Sequence, residues 1–195
     1  MLIILRIIYI EIYIQFFIIM KKNIFVIPEE EIEIIGEENQ IYGFPILTGL
    51  KTLSNEIINI SRFQKINYIN GIDLGCGDGQ VINCFNQTIP NSSWTGVELS
   101  NYRISLSNKP EDIIEGDLLD LDYSEYNFLY INNLAFDDEL CNKIEIKILN
   151  EFLGIILVSK PFYYKKLNSN SKIIKSIKVD TNWQKNHIFY FYLIN

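Results

Sequence analysis

Histidine is nearly absent from this chain: His187 is the one histidine in 195 residues. Cysteine is sparse as well, with Cys76, Cys84 and Cys141 and no C-x-x-C pair among them. A protein zinc site draws on about four clustered ligands, so no metal site is expected. The odd, low cysteine count suits a reducing compartment, the nucleus or the cytoplasm. Basic charge is also short. Seventeen Lys and Arg stand against 24 Asp and Glu, for a net charge of −7. The basic residues are mostly scattered, with small clusters at Lys21–Lys22, Lys165–Lys166 and residues 172–178. Nucleic-acid binders present a basic face, so strong direct DNA binding is not expected.

What is present is apolar and aromatic. A hydrophobic share of 48% with 13% aromatics excludes a disordered chain. The length suits one domain able to bury a core. Residues 2–20 are almost entirely apolar and about one bilayer span long. Arg6, Glu11 and Gln15 interrupt them, and a charge near mid-span costs roughly 2.5–3.5 kcal/mol. No small-residue cleavage site follows, which argues against a secretory signal. Three readings of residues 1–20 stand: a marginal membrane anchor, an element packed on the domain, or an extension outside the working protein, with Met20 as its natural start.

The remainder divides into residues 21–63, a lead-in of strand, loop and helix, and residues 64–195, the main domain. Residues 26–38 are acidic and punctuated by Pro28 and Gly36, and they read as an exposed strand and loop. Leu50, Leu53, Ile57, Ile58 and Ile60 recur near a 3.6-residue period, which predicts an amphipathic helix over 48–63. Strands are expected at 67–74, 93–98, 112–115, 127–131 and 154–159, and helices at 80–87, 102–106 and 138–152. Residues 172–180 and 187–194 read as a closing antiparallel pair. This alternation predicts an α/β fold: a Rossmann-like, seven-stranded, mainly parallel sheet with helices on both faces.

Four segments carry chemistry. Ile72-Asp73-Leu74-Gly75-Cys76-Gly77-Asp78-Gly79-Gln80 leaves the first strand and enters a helix. A dinucleotide fingerprint needs its third glycine three places after the second. Here Gly79 comes two after Gly77, and an acidic residue, Asp73, stands two before Gly75. Gly96-Val97-Glu98 places a carboxylate at the end of the second strand, 25 residues after Asp73. Such a carboxylate accepts hydrogen bonds from ribose hydroxyls, although a lone strand-end Glu is more often just solvated. Gly116-Asp117-Leu118 follows the third strand, with Asp120 and Asp122 close enough to make it a plain solvated loop instead. Tyr130-Ile131-Asn132-Asn133-Leu134-Ala135-Phe136 and Val158-Ser159-Lys160-Pro161-Phe162 end the fourth and fifth strands, where such sheets bind ligands.

The Asp-x-Gly-x-Gly-x-Gly run resembles the first motif of class I S-adenosylmethionine-dependent methyltransferases. The pair Asn-Asn-x-Ala-Phe and Ser-Lys-Pro-Phe, with Trp183 seven places before Tyr190, is similar to the disruptor-of-telomeric-silencing family. That family methylates a core lysine of histone H3 without a SET domain. The resemblance spans about residues 42–194. It implies S-adenosyl-L-methionine as cofactor, held by Tyr42, Asp73, Gly75, Gly77, Gln80, Glu98, Asp117, Leu118 and Asn132. Asn132 would stand where donor and acceptor meet, and Phe136, Phe162 and Tyr190 would line a lysine channel. Tyr42-Gly43 would belong to a loop closing over the cofactor. Other readings remain: a helix cap or turn for Asn132-Asn133, and core packing for Phe162 and Tyr190.

The implied partner is a protein substrate, with histone H3 or the nucleosome first among candidates. The chain departs from the family in several respects. Glu98 and Asp117 are 19 residues apart, too close for the family's long helix, and no Lys-rich tail is present. Phe44-Pro45 follows Tyr42-Gly43 where a small polar cluster would stand. A small-molecule methyltransferase and a non-catalytic binding module are the alternatives.

Overall fold

A computed structural model describes residues 23–37, 39–162 and 171–195. The apolar segment 1–20 and the Lys21–Lys22 and Lys165–Lys166 clusters lie outside the described residues. Among the described residues, no helix is long and apolar enough to cross a membrane.

The core is one sheet of seven strands: β1 (Ile69–Leu74), β2 (Ser92–Glu98), β3 (Ile113–Glu115), β4 (Phe128–Ile131), β5 (Gly154–Val158), β6 (Ser171–Val179) and β7 (His187–Ile194). Their order is β3-β2-β1-β4-β5-β7-β6. The first five run parallel. β7 inserts antiparallel between β5 and β6. This is the Rossmann-like arrangement expected from the alternation of elements.

The helices are α1 (Glu29–Ile35), α2 (Leu47–Phe63), α3 (Gln80–Thr88), α4 (Asn101–Ser105) and α5 (Asp138–Glu151). Strand residues alternate between two apolar layers because successive side chains point to opposite faces. Phe128, Tyr130, Ile155 and Leu157 join Leu50, Leu53 and Ile57 of α2 and Phe85 of α3 on one side. Leu129, Ile131, Ile156 and Val158 join Ile144 and Ile148 of α5 on the other. Both faces of the parallel strands are covered, which is why β4 and β5 read as nearly unbroken apolar runs.

One sequence expectation fails. Residues 29–35 form α1, not a strand. Pro28 and the acidic run read as punctuation of an exposed strand and loop, but Pro28 enters the helix at φ −57° and Glu29, Glu30 and Glu31 crowd its first turn. Proline at a helix entry and carboxylates at the positive end of the helix dipole both favour helix. Tertiary contacts then fix the register. Glu31 accepts from the Tyr102 N–H at 3.0 Å and from the Ser100 hydroxyl.

Candidate functional site

The carboxyl ends of β1, β2, β3 and β4 meet at the switch point where the chain leaves β1 towards β2 on one side and β4 on the other. A cavity of about 630 Å³ opens there. Its walls include Gly75 after β1, Glu98 at the end of β2, Asp117 and Leu118 after β3, and Asn132 after β4. Its outer wall is the strap of residues 23–46 leading into α2, which contributes Glu33, Ile34, Asn39, Tyr42 and Gly43. The strap is tied down by Asn39, which donates to Asp137 Oδ2 at 2.9 Å and accepts from the Asp137 N–H at 3.0 Å.

The glycine turn is built around close approaches. Gly77 sits at φ +60°, and a Cβ there would lie 2.2 Å from Cε2 of Tyr42. A side chain is excluded by sterics and disfavoured by the left-handed backbone. The Gly77 N–H donates to Glu98 Oε2 at 2.8 Å, and the Ser100 N–H donates to Glu98 Oε1 at 2.9 Å. Glu98 is 5% exposed and its carboxylate stitches the turn to β2. Arg103 Nη1 lies 3.9 Å from Glu98 Oε1, both side chains being buried.

Asp73 is buried at the end of β1. Burial raises its pKa well above the usual carboxylate range, and the Glu98 charge raises it further. The Tyr42 phenol is also pushed up, by burial first and then by the Asp78 carboxylate, which accepts its hydroxyl at 3.2 Å.

At the end of β4 the two asparagines divide their roles. Asn133 is buried and accepts from the Lys160 N–H at 2.9 Å while donating to the Lys160 carbonyl at 3.1 Å. It locks the β4 loop to the β5 loop. Asn132 lines the cavity and donates from Nδ2 to the Gly43 carbonyl at 2.6 Å. Its Oδ1 is buried without a partner among the described residues.

The sequence-derived site residues therefore separate. Tyr42, Gly75, Glu98, Asp117, Leu118 and Asn132 line the cavity, as does Phe136. Asp73 and Gly77 lie behind this wall, Asp73 buried and Gly77 under the Tyr42 ring. Gln80 is exposed and turns back to donate to Asp78 Oδ2 at 2.8 Å. Phe162 is buried in the apolar layer against Tyr192, with ring centroids 5.0 Å apart. Tyr190 is partly buried against the same layer. Among the described residues, the aromatic side chains that line the cavity are Tyr42, Phe136 and Trp183.

Three contributors were not legible in the sequence. Arg103 is buried beside Glu98, Asp78 receives the Tyr42 hydroxyl, and Asn39 bridges the strap to α5. No local pattern marks an arginine in a short helix as buried. Trp183 was legible only as a spacing partner of Tyr190. The cavity wall receives it because the β6–β7 turn folds back on the strap: the Asn182 N–H donates to the Phe44 carbonyl at 3.0 Å.

No protein-family model and no curated protein sequence matches the chain. Solved structures do. Magnesium protoporphyrin IX methyltransferase (ChlM) from Synechocystis PCC 6803, with bound SAM, superposes at a TM-score of 0.55 and 10% identity, covering 89% of each chain. A point mutant of MtNAS in complex with S-adenosylmethionine gives a TM-score of 0.59 and 13% identity over 92% of this chain and 75% of that one. A further structure of that mutant gives 0.55 at 15% identity, over 75% of this chain and 60% of that one. The likeness is one of fold: this chain has the Rossmann-like fold on which those proteins are built.

Proposed function

We propose that the chain is an S-adenosylmethionine-dependent methyltransferase whose reaction takes place in the cavity beside Asn132. The observation that carries this reading is the convergence of Gly75, Glu98, Asp117, Leu118 and Asn132 on one cavity at the switch point. Two of the structural neighbours are bound to S-adenosylmethionine, which supports the same cofactor here.

The donor set fits that cofactor. Glu98 offers carboxylate oxygens to a ribose diol, Asp117 an acceptor for an adenine amine, and Leu118 an apolar contact for the ring. Gly116 leaves the wall open: among the described residues, nothing lies within 4 Å of where its Cβ would stand. The unpartnered Asn132 Oδ1 is a further unmet acceptor, and leaving it so costs about 1–3 kcal/mol. Bound there, the cofactor supplies an electrophilic methyl group on sulfur.

The protein's own task is orientation and exclusion of water. In-line transfer needs the nucleophile within about 3–3.5 Å of the methyl group and little acid–base help. The strap covers one side of the cavity. Phe136 and Trp183 bring aromatic surface to the cavity that favours a sulfonium cation, while the Tyr42 ring already carries Arg103 over it. Asn132 is neutral, so it orients an acceptor without holding an amine in its charged form.

For the acceptor, the sequence resemblance favours a lysine amine on a protein, with histone H3 the first candidate and the nucleus the matching compartment. The three aromatic side chains line the cavity with apolar surface that disfavours the ammonium form, which supports a neutral amine acceptor. A small-molecule acceptor is favoured by a different observation: Phe162 and Tyr190 pack into the core layer, and the cavity is walled by the strap.

The deciding experiment uses methyl-labelled S-adenosylmethionine with nucleosomes, free histones and a cell lysate, beside an Asn132→Ala protein. Label on histone H3 that vanishes in the variant supports the lysine reading. Label confined to the small-molecule fraction of the lysate replaces it with the second. No label anywhere, with no cofactor bound, sinks the methyltransferase reading.

A further inference from the structure

Arg103 is the one buried Lys or Arg among the described residues. Its surroundings come from two separate parts of the chain. On the sheet side, Nη1 stands 3.9 Å from Glu98 Oε1. On the strap side, Nη2 donates to the Gln40 carbonyl and Nε donates to the Ile24 carbonyl at 3.4 Å. The guanidinium also lies over the Tyr42 ring, 5.1 Å from its centroid. A single planar cation thus touches both ends of the strap and the carboxylate at the end of β2. A guanidinium suits such a task because its five donors fan out in a rigid fork, which a lysine cannot copy.

Burial makes the contacts interdependent. A buried charge is tolerated when it is paired and hydrogen-bonded, and removing one partner leaves the other charge uncompensated. The Glu98 carboxylate accepts its hydrogen bonds from Gly77 and Ser100, neither of which belongs to the strap. Ser100 also donates from its hydroxyl to Glu31 of the strap and Gly77 packs under the Tyr42 ring, while the ionic link from Glu98 to the strap runs through Arg103. The anchoring is repeated one residue earlier in the chain. The Tyr102 N–H donates to Glu31 of α1, and its hydroxyl accepts from the Asn23 N–H at 3.2 Å.

We infer that Arg103 is a positioning residue that couples the Glu98 carboxylate to closure of the strap over the cavity. This rests on the cofactor reading given above for the identity of the ligand, but not for the coupling itself. When the pair is intact, Arg103 holds Glu98 aimed at the cavity and draws Ile24, Gln40 and Tyr42 down as its remaining partners. When Glu98 loses its charge, the strap loses the anchor of its central cation.

The strap suits a direct test because Glu29, Glu30, Glu31, Glu33 and Glu37 are targets for a Glu-specific protease. The full chain is digested as wild type, Glu98→Gln and Arg103→Gln, each with and without S-adenosylhomocysteine. Cleavage within residues 29–37 is followed by mass spectrometry, and affinity by calorimetry. In Glu98→Gln the strap is expected to be cut about tenfold faster than in wild type, a coupling of ordinary size. In Arg103→Gln, cleavage is expected to rise similarly and affinity to fall about tenfold.

A strap in Glu98→Gln as resistant as in wild type overturns the coupling. So does an Arg103→Gln protein whose strap is cut fast while its affinity stays within about twofold, since coupling requires both to move. If Arg103→Gln fails to fold, the near-isosteric Glu98→Gln still decides. If wild type does not bind S-adenosylhomocysteine, the cofactor reading fails. The comparison of wild type with Glu98→Gln then still judges the coupling by itself.

Discussion

Replacing Gly77 by alanine tests the architecture of the glycine turn. The new Cβ would fall 2.2, 2.5 and 2.7 Å from Cε2, Cζ and the hydroxyl oxygen of Tyr42. The backbone, at φ +60°, adds its own penalty of roughly 1–2 kcal/mol for a residue with a side chain. The Tyr42 ring is partly buried and can swing away. It then gives up its 3.2 Å hydrogen bond to Asp78, worth about 1 kcal/mol, and its face over Arg103, worth about 0.5–2 kcal/mol. The expected loss is about 3 kcal/mol, a fall in Tm of about 6–12 °C for a chain of this length.

Thermal and urea unfolding measure the loss. A double-mutant cycle locates it. In a Tyr42→Ala background the ring is gone, so Gly77→Ala should cost only the backbone penalty, leaving a coupling of about 1–2 kcal/mol between the two sites. Equal costs in both backgrounds would refute the contact between ring and turn. A Gly77→Ala protein that melts with wild type would refute the strained backbone as well.

Further outcomes are expected. Asp73 has a raised folded pKa, so its folded form holds a proton more readily than the unfolded chain does. Stability is therefore greatest below the unfolded value near 3.8, falls as pH rises towards the raised folded value, and is flat above it. The slope in that window is about 1.4 kcal/mol per pH unit, and Asp73→Asn should abolish it and stabilise the protein near neutral pH. Parallel urea-midpoint curves for the two proteins from about pH 4 to about pH 8 would count against this. Gly49→Ala would bring a Cβ 2.1 Å from the Asp180 backbone carbonyl, forcing α2 off the β6–β7 turn. We expect a loss of about 1–3 kcal/mol or more in urea unfolding, and a neutral result would contradict that packing. Asp137→Ala removes the side chain that caps α5 through the Leu140 N–H at 2.7 Å, and should cost about 1 kcal/mol. It also removes the Asn39 Nδ2–Asp137 Oδ2 bond while leaving the backbone N–H of residue 137 on Asn39 Oδ1, so protease cleavage of the strap should rise modestly while the melt shifts little.

By itself the sequence determined the sheet and the order of its elements. Runs such as Phe128–Ile131 and Gly154–Val158 are apolar on both sides, and residues buried on two faces leave no other placement. It determined the glycine turn too, because Gly77 answers a steric demand that few residues meet. The carboxylate at Glu98 follows from its position at a strand end. Tertiary structure decided what lies opposite those groups. The helix at residues 29–35 has local causes in Pro28 and the acidic first turn, but its placement was set by Ser100 and Tyr102 donating to Glu31 across about 70 residues of chain. Asn132 and Asn133 are neighbours of one type, yet one lines the cavity and the other clamps two loops, because the β4–β5 register turns Asn133 towards Lys160. Phe162 and Tyr190 pack into an apolar layer that no local spacing describes. Arg103 was silent in the sequence for the same reason: its partners, Ile24, Gln40, Tyr42 and Glu98, are brought together by folding, and a buried charge is defined by what surrounds it.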